Sequence, residues 1–337
     1  MERLDVFMAR ANAEYYAAHD PFADFTTAPE ISQAFGEVLG AWAAIQWESM
    51  GRPDPVILAE AGPGRGTLMA DAVRAVTRVA PAFRAALRLH LVETSPRLRA
   101  IQAVVLPDAT WHDRVEDLPG GPIILLANEF LDALPIRQFV RRGEIWSERF
   151  IGDGRWVEVT LPHPLSEMVG VRGSHPSGAS GPHPQATEGE EIWEWRDPTL
   201  AHHLGDRLRA APGTALFLDY GPLASGSGDS LQALRAGQPA APLADAGTAD
   251  LTAHVDFAAF ADASRLPAYG PLPQGKFLTR LGLFARIHRL ATTLPPREAM
   301  RMTEAGRRLA EPDRMGALFK ALALTSPGLA MPAGFEP

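Results

Sequence analysis

The sequence predicts an α/β fold built on a mostly parallel sheet with crossover helices, and three observations carry that prediction. Short apolar runs, Val56 to Ala59, Arg88 to Val92 and Ile123 to Ala127, alternate with helical stretches that reach about Val79 and Val105. The first run leads into the glycine-rich turn Gly62-Pro63-Gly64-Arg65-Gly66. Polar residues stand where the runs stop, at Glu60, Glu93, Asn128, Glu129 and Asp219. In an open parallel sheet ligands bind beyond the carboxyl ends of the strands, so these five are expected along one crevice.

The elements follow in chain order. Residues 1–50 read as helical, with Phe35, Leu39, Trp42 and Ala43 on one face of a stretch starting near Pro29, and Trp42, Ile45 and Trp47 are expected in the core. After the strand-helix alternation, Phe139-Val140 and Ile145 to Phe150 are separated by Arg142-Gly143, and Gly152-Asp153-Gly154 precedes Trp156, which signals hairpins. Residues 169–190, rich in Gly, Ser, His and Pro, lack the apolar surface to order themselves and are expected to be a flexible loop, with His175 and His183 as solvated residues rather than metal ligands. A helix from about Pro198 to Ala210 precedes an apolar strand, Ala215 to Leu218, which runs into Asp219-Tyr220-Gly221. A second Gly/Ser cluster, Ser225 to Gly228, opens a Pro/Ala-rich stretch up to Ala249. The C-terminal third reads as mostly helical, with His254 and Phe257 near the start of one helix and Leu278, Leu281 and Phe284 in another.

Composition narrows the function classes. With 337 residues, 46% of them hydrophobic, the chain is long enough to bury a full core as one large domain with additions or as two domains. A net charge of −8 excludes a global basic field for nucleic acid or an anionic membrane, though not a local patch. Lys276 and Lys320 are the only lysines, a bias toward arginine that fits genomic base composition. The absence of cysteine removes disulfides, thiolate metal sites and thiol nucleophiles together. Met1-Glu2-Arg3-Leu4-Asp5 lacks a basic flank followed by an apolar core, and no apolar run approaches the roughly 20 residues that span a bilayer. A cytoplasmic protein is the expectation.

The glycine turn is the strongest chemical signal. Gly62, Gly64 and Gly66 let the backbone turn sharply and approach a ligand, while the helix starting near Thr67 offers unpaired N–H groups to it. A dinucleotide dehydrogenase would use a similar turn and a similar ribose acid. Two features favour S-adenosylmethionine: Glu60 stands two residues before the first glycine, suited to a cationic ligand portion, and Pro63 makes a compact turn unlike the usual dinucleotide spacing. Glu93, about 27 residues beyond the turn, suits both hydroxyls of a ribose, or else caps the helix beginning near Pro96.

Ordered blocks along nearly the whole chain resemble the MidA family of class I S-adenosylmethionine-dependent methyltransferases. They are Tyr15-Tyr16, Asp24 to Gln33, Phe35-Gly36-Glu37, Glu60 to Met69, Asn128 to Pro135, Asp219-Tyr220-Gly221, Asp250 to Phe257 and Met315 to Lys320. The resemblance implies a Rossmann-like, mostly parallel seven-stranded sheet with an N-terminal helical extension and an additional α+β region covering the substrate. The implied division is an extension over 1–50, a cofactor-binding core over 51–160, a flexible insertion over 161–197, a return to the core over 198–224 and a mostly helical substrate-side region over 225–337. It also implies methyl transfer from S-adenosylmethionine, leaving S-adenosylhomocysteine, to a protein arginine such as one on a core subunit of respiratory complex I. Thr27 and Glu30 belong to a block expected to fold over the cofactor, although Thr27, Pro29 and Glu30 also suit a helix N-cap with a capping box.

A guanidinium acceptor calls for carboxylates that hold it and localise electron density on the attacking nitrogen. Glu129 beside Asn128, at the end of the run Ile123 to Ala127, is expected in that role with Asp132 as a second candidate; both acids could instead cap the next helix. His254 and Asp256 supply no metal set by themselves, and a substrate-side or structural role is expected for them. The chain departs from the family pattern in the shortened Asp20-Pro21-Phe22-Ala23-Asp24-Phe25 and in Ala236-Gly237-Gln238, where relatives tend to have a histidine. Two other readings stay open: a methyltransferase for a small molecule or another side chain, and a non-enzymatic assembly factor that keeps the cofactor pocket.

Overall fold

In the computed structural model, which describes residues 1–19, 26–162 and 189–337, the apolar runs become strands with helices between them. In chain order they are β1 (Glu2–Arg3), α1 (Leu4–Ala18), α2 (Ala28–Ile31), α3 (Gln33–Ser49), β2 (Val56–Ala61), α4 (Thr67–Val79), α5 (Pro81–Ala86), β3 (Leu87–Val92), α6 (Pro96–Val105), β4 (Thr110–His112) and β5 (Ile123–Asn128). There follow β6 (Ile136–Arg142), β7 (Ile145–Gly152), β8 (Arg155–Thr160), β9 (Glu190–Arg196), α7 (Thr199–Ala210), β10 (Gly213–Tyr220), β11 (Gln232–Arg235), β12 (Gln238–Ala240) and β13 (Asp250–Thr252). The chain ends with α8 (Phe257–Ser264), β14 (Ala268–Pro273), α9 (Gln274–Arg280), α10 (Leu283–Ala291), α11 (Pro296–Ala310) and β15 (Phe319–Thr325). Two compact units result, one of residues 1–25, 132–197 and 224–256, the other of 26–131, 198–223 and 257–337.

The second unit carries a seven-stranded sheet in the order β14-β15-β10-β5-β2-β3-β4. The pairs β10–β5, β5–β2, β2–β3 and β3–β4 are parallel, and β15 runs antiparallel to β10 and β14. Helices cover both faces of such a sheet, which is why β2 and β5 read as apolar runs up to Glu60 and Asn128 and every residue in them is buried. Helices α3 and α4 pack at close range because Gly40 has no side chain: a Cβ there would stand 2.7 Å from backbone atoms of Ala72.

Three local expectations need correcting. Ile45, expected in the core, is 48% exposed, since the buried set Phe35, Val38, Leu39, Trp42, Ala43, Gln46 and Trp47 keeps helical spacing and leaves it outside. Leu278 and Phe284 fall in different helices, because the chain breaks at Gly282 with φ 84°. The C-terminal third is also less helical than expected. Its last strand, β15, is wholly buried between β10 and β14, and its Ala- and Leu-rich sequence Phe-Lys-Ala-Leu-Ala-Leu-Thr looks helical without those neighbours.

The first unit is antiparallel. Its five strands β1, β7, β6 and β9, with β8 on β7, turn at Gly143 and at Asp153-Gly154, where φ is 61°, 49° and 70°, as the hairpin signals require. Strands β12, β11 and β13 form a second sheet. Leu4, Phe7, Met8 and Ala11 of α1 pack with Ile136, Ile151, Ala233 and Leu251. The departure Ala236-Gly237 is the two-residue turn joining β11 to β12, with both φ values positive at 50° and 69°. His175, His183 and the shortened segment Asp20 to Phe25 lie outside the described residues.

Candidate functional site

Parallel pairing brings the carboxyl ends of β2, β3, β5 and β10 to one edge of the seven-stranded sheet, and the candidate residues from 27 to 129 lie in this unit. Beyond β2, Gly62, Gly64 and Gly66 have φ values of 66°, 55° and 82°, which a side chain would strain. The Gly62 amide donates to the Val92 carbonyl at 3.1 Å and the Gly66 amide to that of Pro63 at 2.7 Å, so the turn is tied to β3 and closed on itself. Gly66 then caps α4 in the left-handed conformation, and Thr67 is its first helical residue.

Glu60 is 2% exposed at the end of β2. Its carboxyl accepts from the Met69 amide in the first turn of α4, yet Oε2 has no hydrogen-bond partner. Burial pushes its pKa up to about 8, only partly offset by that amide. A buried acid with an orphaned oxygen beside an open glycine turn fits a ligand that brings its own positive charge and donors, as the ammonium-bearing S-adenosylmethionine does.

Glu93 follows β3. Its Oε1 accepts from the Ser95 amide at 2.8 Å, while Ser95 itself caps α6 by accepting from Leu98 at 3.4 Å. Burial raises the Glu93 pKa against the hydrogen bonds that lower it. Sequence reasoning missed Gln102, a fully buried residue on α6 whose amide nitrogen donates to the Gly64 carbonyl at 2.7 Å and lies 3.4 Å from Glu93 Oε2. Its Oε1 accepts from the Trp111 indole at 2.8 Å. Gln102 thus links the glycine turn to Glu93, and the only sequence signal for it is a glutamine among the apolar positions of α6.

The segment from Thr27 to Ile31 is bonded to both sides of this edge. Thr27 caps the short α2, but its side chain makes no capping bond, so the expected capping box does not form. Glu30 instead accepts from the Thr67 hydroxyl and stands 4.0 Å from Arg65 of the glycine turn. The Ala28 amide donates to Glu129 Oε1 at 3.2 Å, and Asn128 Nδ2 donates to the same oxygen at 3.0 Å. Glu129 holds a φ of 51°, unusual for a residue with a side chain and worth about 1–2 kcal/mol of strain.

Asp219, read as a crevice acid, is committed to the main chain. Its Oδ2 accepts from the amides of Phe130 at 3.1 Å and Leu131 at 2.8 Å, and its Oδ1 from Tyr220 at 2.9 Å. Asp132 belongs to the other unit, where it is buried and its carbonyl accepts from the Ala253 amide at 3.0 Å. His254 and Asp256 lie in that unit too, the former with its amide on Ser230 Oγ at 2.8 Å, the latter accepting from Ser225 at 2.7 Å. Among the described residues no three His, Cys, Asp or Glu side chains gather as a metal site, and no helix is long and apolar enough to cross a membrane.

Residues 38–268 match the model of a family described as "Putative S-adenosyl-L-methionine-dependent methyltransferase". A Drosophila melanogaster protein named "Protein arginine methyltransferase NDUFAF7 homolog, mitochondrial" is 32% identical over 96% of this chain and 80% of its own length. The human "Protein arginine methyltransferase NDUFAF7, mitochondrial" is 29% identical over 92% of this chain and 76% of its own. A solved structure described as a "likely methyl transferase from Burkholderia thailandensis bound to S-adenosyl-homocysteine" superposes with a TM-score of 0.77 over 98% of this chain and 89% of that one, at 23% identity, and shares its fold. The relatives are named as mitochondrial proteins, which overturns the expectation of a cytoplasmic location. That expectation rested on the lack of a secretory or membrane-spanning pattern, which does not bear on delivery to an organelle. The resemblance read from the ordered blocks is borne out, and the chain belongs to this family of methyltransferases that use S-adenosyl-L-methionine as methyl donor.

Proposed function

We propose that this chain methylates an arginine side chain of a protein, with a core subunit of respiratory complex I as the candidate acceptor. The observation that carries this reading is the likeness, over 96% of the chain, to a relative named as a protein arginine methyltransferase. Bound S-adenosylmethionine supplies an electrophilic methyl group on a sulfonium. Gly62, Gly64, Gly66 and Thr67 would hold it through the backbone, Glu60 through its charge, Glu93 through the ribose hydroxyls, and Thr27 and Glu30 as a cover.

Methyl transfer is an in-line displacement, so what the chain itself must supply at the acceptor is orientation and removal of charge. A guanidinium is protonated at physiological pH and bonds carboxylates in a defined geometry. Glu129 suits that role, because Asn128 and Ala28 hold its Oε1 at 3.0 and 3.2 Å and so fix the direction of the carboxylate. A guanidinium bonded to it would keep electron density on the nitrogen facing the methyl group, and the carboxylate would accept the proton that the nitrogen gives up as its bond to carbon forms and the carbon–sulfur bond breaks. Asp132 is the second candidate for contact with the acceptor.

Calorimetric titration tests the donor, and mass spectrometry of methylated proteins in matched deletion and wild-type cells tests the acceptor. We expect one or more methylarginines to vanish from the deletion cells, a complex I subunit among the proteins affected. An unchanged arginine-methylation profile would overturn arginine as the acceptor.

A further inference from the structure

The geometry points to Asp219 as a positioning residue for methyl transfer: by clamping the turn after β5 it keeps Glu129 in the backbone conformation that aligns its carboxylate with Asn128 and Ala28. This inference rests on the role proposed above for Glu129.

A φ of 51° is strained for a residue with a side chain, because the Cβ crowds the neighbouring carbonyl, and at Glu129 it is determined by groups outside the residue. Three consecutive amides supply the determination. That of Glu129 donates to the Leu218 carbonyl at 2.8 Å, and those of Phe130 and Leu131 both donate to Asp219 Oδ2 at 3.1 and 2.8 Å. Leu218 and Asp219 are successive residues of β10, and Leu218 is the register partner of Asn128 on β5. One strand end therefore grips the main chain of the other, through the Leu218 carbonyl and the Asp219 carboxylate, and Glu129 is the first residue inside the grip.

The clamp needs a carboxylate. Asp219 is 1% exposed and accepts from three amides, the third being Tyr220 on Oδ1 at 2.9 Å. Successive amides converging on a buried anion make charge-assisted bonds that neither water nor a neutral group replaces. In Asp219→Asn one oxygen becomes an NH2 group, so a donor meets either Tyr220 or the Phe130–Leu131 pair. The turn would then lose part of its clamp, and Glu129 would relax toward ordinary φ with its carboxylate displaced.

The test is a double-mutant cycle on the full chain. It measures radiolabelled methyl transfer from saturating S-adenosylmethionine to protein extract of deletion cells, together with cofactor affinity by calorimetry. Asp219→Asn is expected to slow transfer roughly tenfold to a hundredfold, as a displacement on the order of 1 Å does, with cofactor affinity within about twofold of wild type. In a Glu129→Gln background the same change should slow transfer no further, since the group it positions is already gone. Full multiplication of the two effects, or a fall in cofactor affinity parallel to the fall in rate, would overturn the positioning role. If Asp219→Asn does not fold, Asp219→Ser, which keeps one small acceptor, is read against the same criteria. Wild-type transfer by Glu129→Gln would sink the reading of Glu129 itself, whereas a slow Glu129→Gln with additive Asp219→Asn would sink the clamp alone.

Discussion

The glycine turn after β2 and the turn after β5 both leave the helical and extended regions of backbone space, but for opposite reasons. At the first, Gly62, Gly64 and Gly66 take φ values of 66°, 55° and 82° at little cost because they lack a Cβ. At the second, Glu129 takes 51° with a full side chain, held by Leu218 and Asp219 from another strand. One turn is encoded where it stands and the other is imposed from 89 residues further along the chain, by Asp219 on Phe130. The glycine turn is therefore expected to fail through local substitutions, and the turn after β5 through remote ones.

The sharpest break in this contrast is Gly64→Val. A β-branched side chain at φ 55° fits neither the backbone nor a ligand lying against it, so calorimetry should register complete loss of S-adenosylmethionine binding. Retained binding would mean that the turn does not meet the cofactor. Next in size is Glu129→Gln, which should keep cofactor affinity while lowering turnover by about a hundredfold to a thousandfold, the usual cost of losing one electrostatic partner in a reacting site. Normal turnover would remove Glu129 from its proposed role.

Glu60 sets a pH dependence. In the folded, unliganded chain its carboxyl holds its proton up to about pH 8, whereas the unfolded chain releases it near the ordinary value of 4.5. The folded state therefore binds more protons between those values, and Glu60 makes stability fall as pH rises through that window. Urea unfolding across the window should give a shallower decline for Glu60→Gln than for wild type; equal slopes would assign the dependence to other groups. Smallest is Gln102→Ala, which strands the Trp111 indole donor and the Gly64 carbonyl and should cost about 1–3 kcal/mol in the same unfolding measurement. A parallel weakening of cofactor affinity would tie Gln102 to the glycine turn as a support, and unchanged affinity would confine it to the core.

The strands show the same contrast between local encoding and distant partners. Strands β2 and β5, and β3 apart from Arg88, are buried on both faces and so announce themselves as largely apolar runs, and the hairpins β6–β7 and β7–β8 announce themselves through Gly143 and Asp153-Gly154. Strand β15 gives no such notice. Its alanines and leucines favour a helix locally, and only the hydrogen bonds offered by β10 and β14 make it a strand.

By itself the sequence determined the parallel core, the glycine turn and the acids Glu60, Glu93 and Glu129, because each depends on residue type at a fixed short spacing. The tertiary structure decided what those acids touch: Glu30 accepts from Thr67 rather than capping its helix, Gln102 bonds both the glycine turn and Glu93, and Asp219 accepts from the main chain of Phe130 and Leu131. Apart from the link between Gln102 and Glu93, each of these is a hydrogen bond between residues tens of positions apart. Such bonds exist only once packing has brought donor and acceptor within about 3 Å, and no local pattern in the chain records that approach.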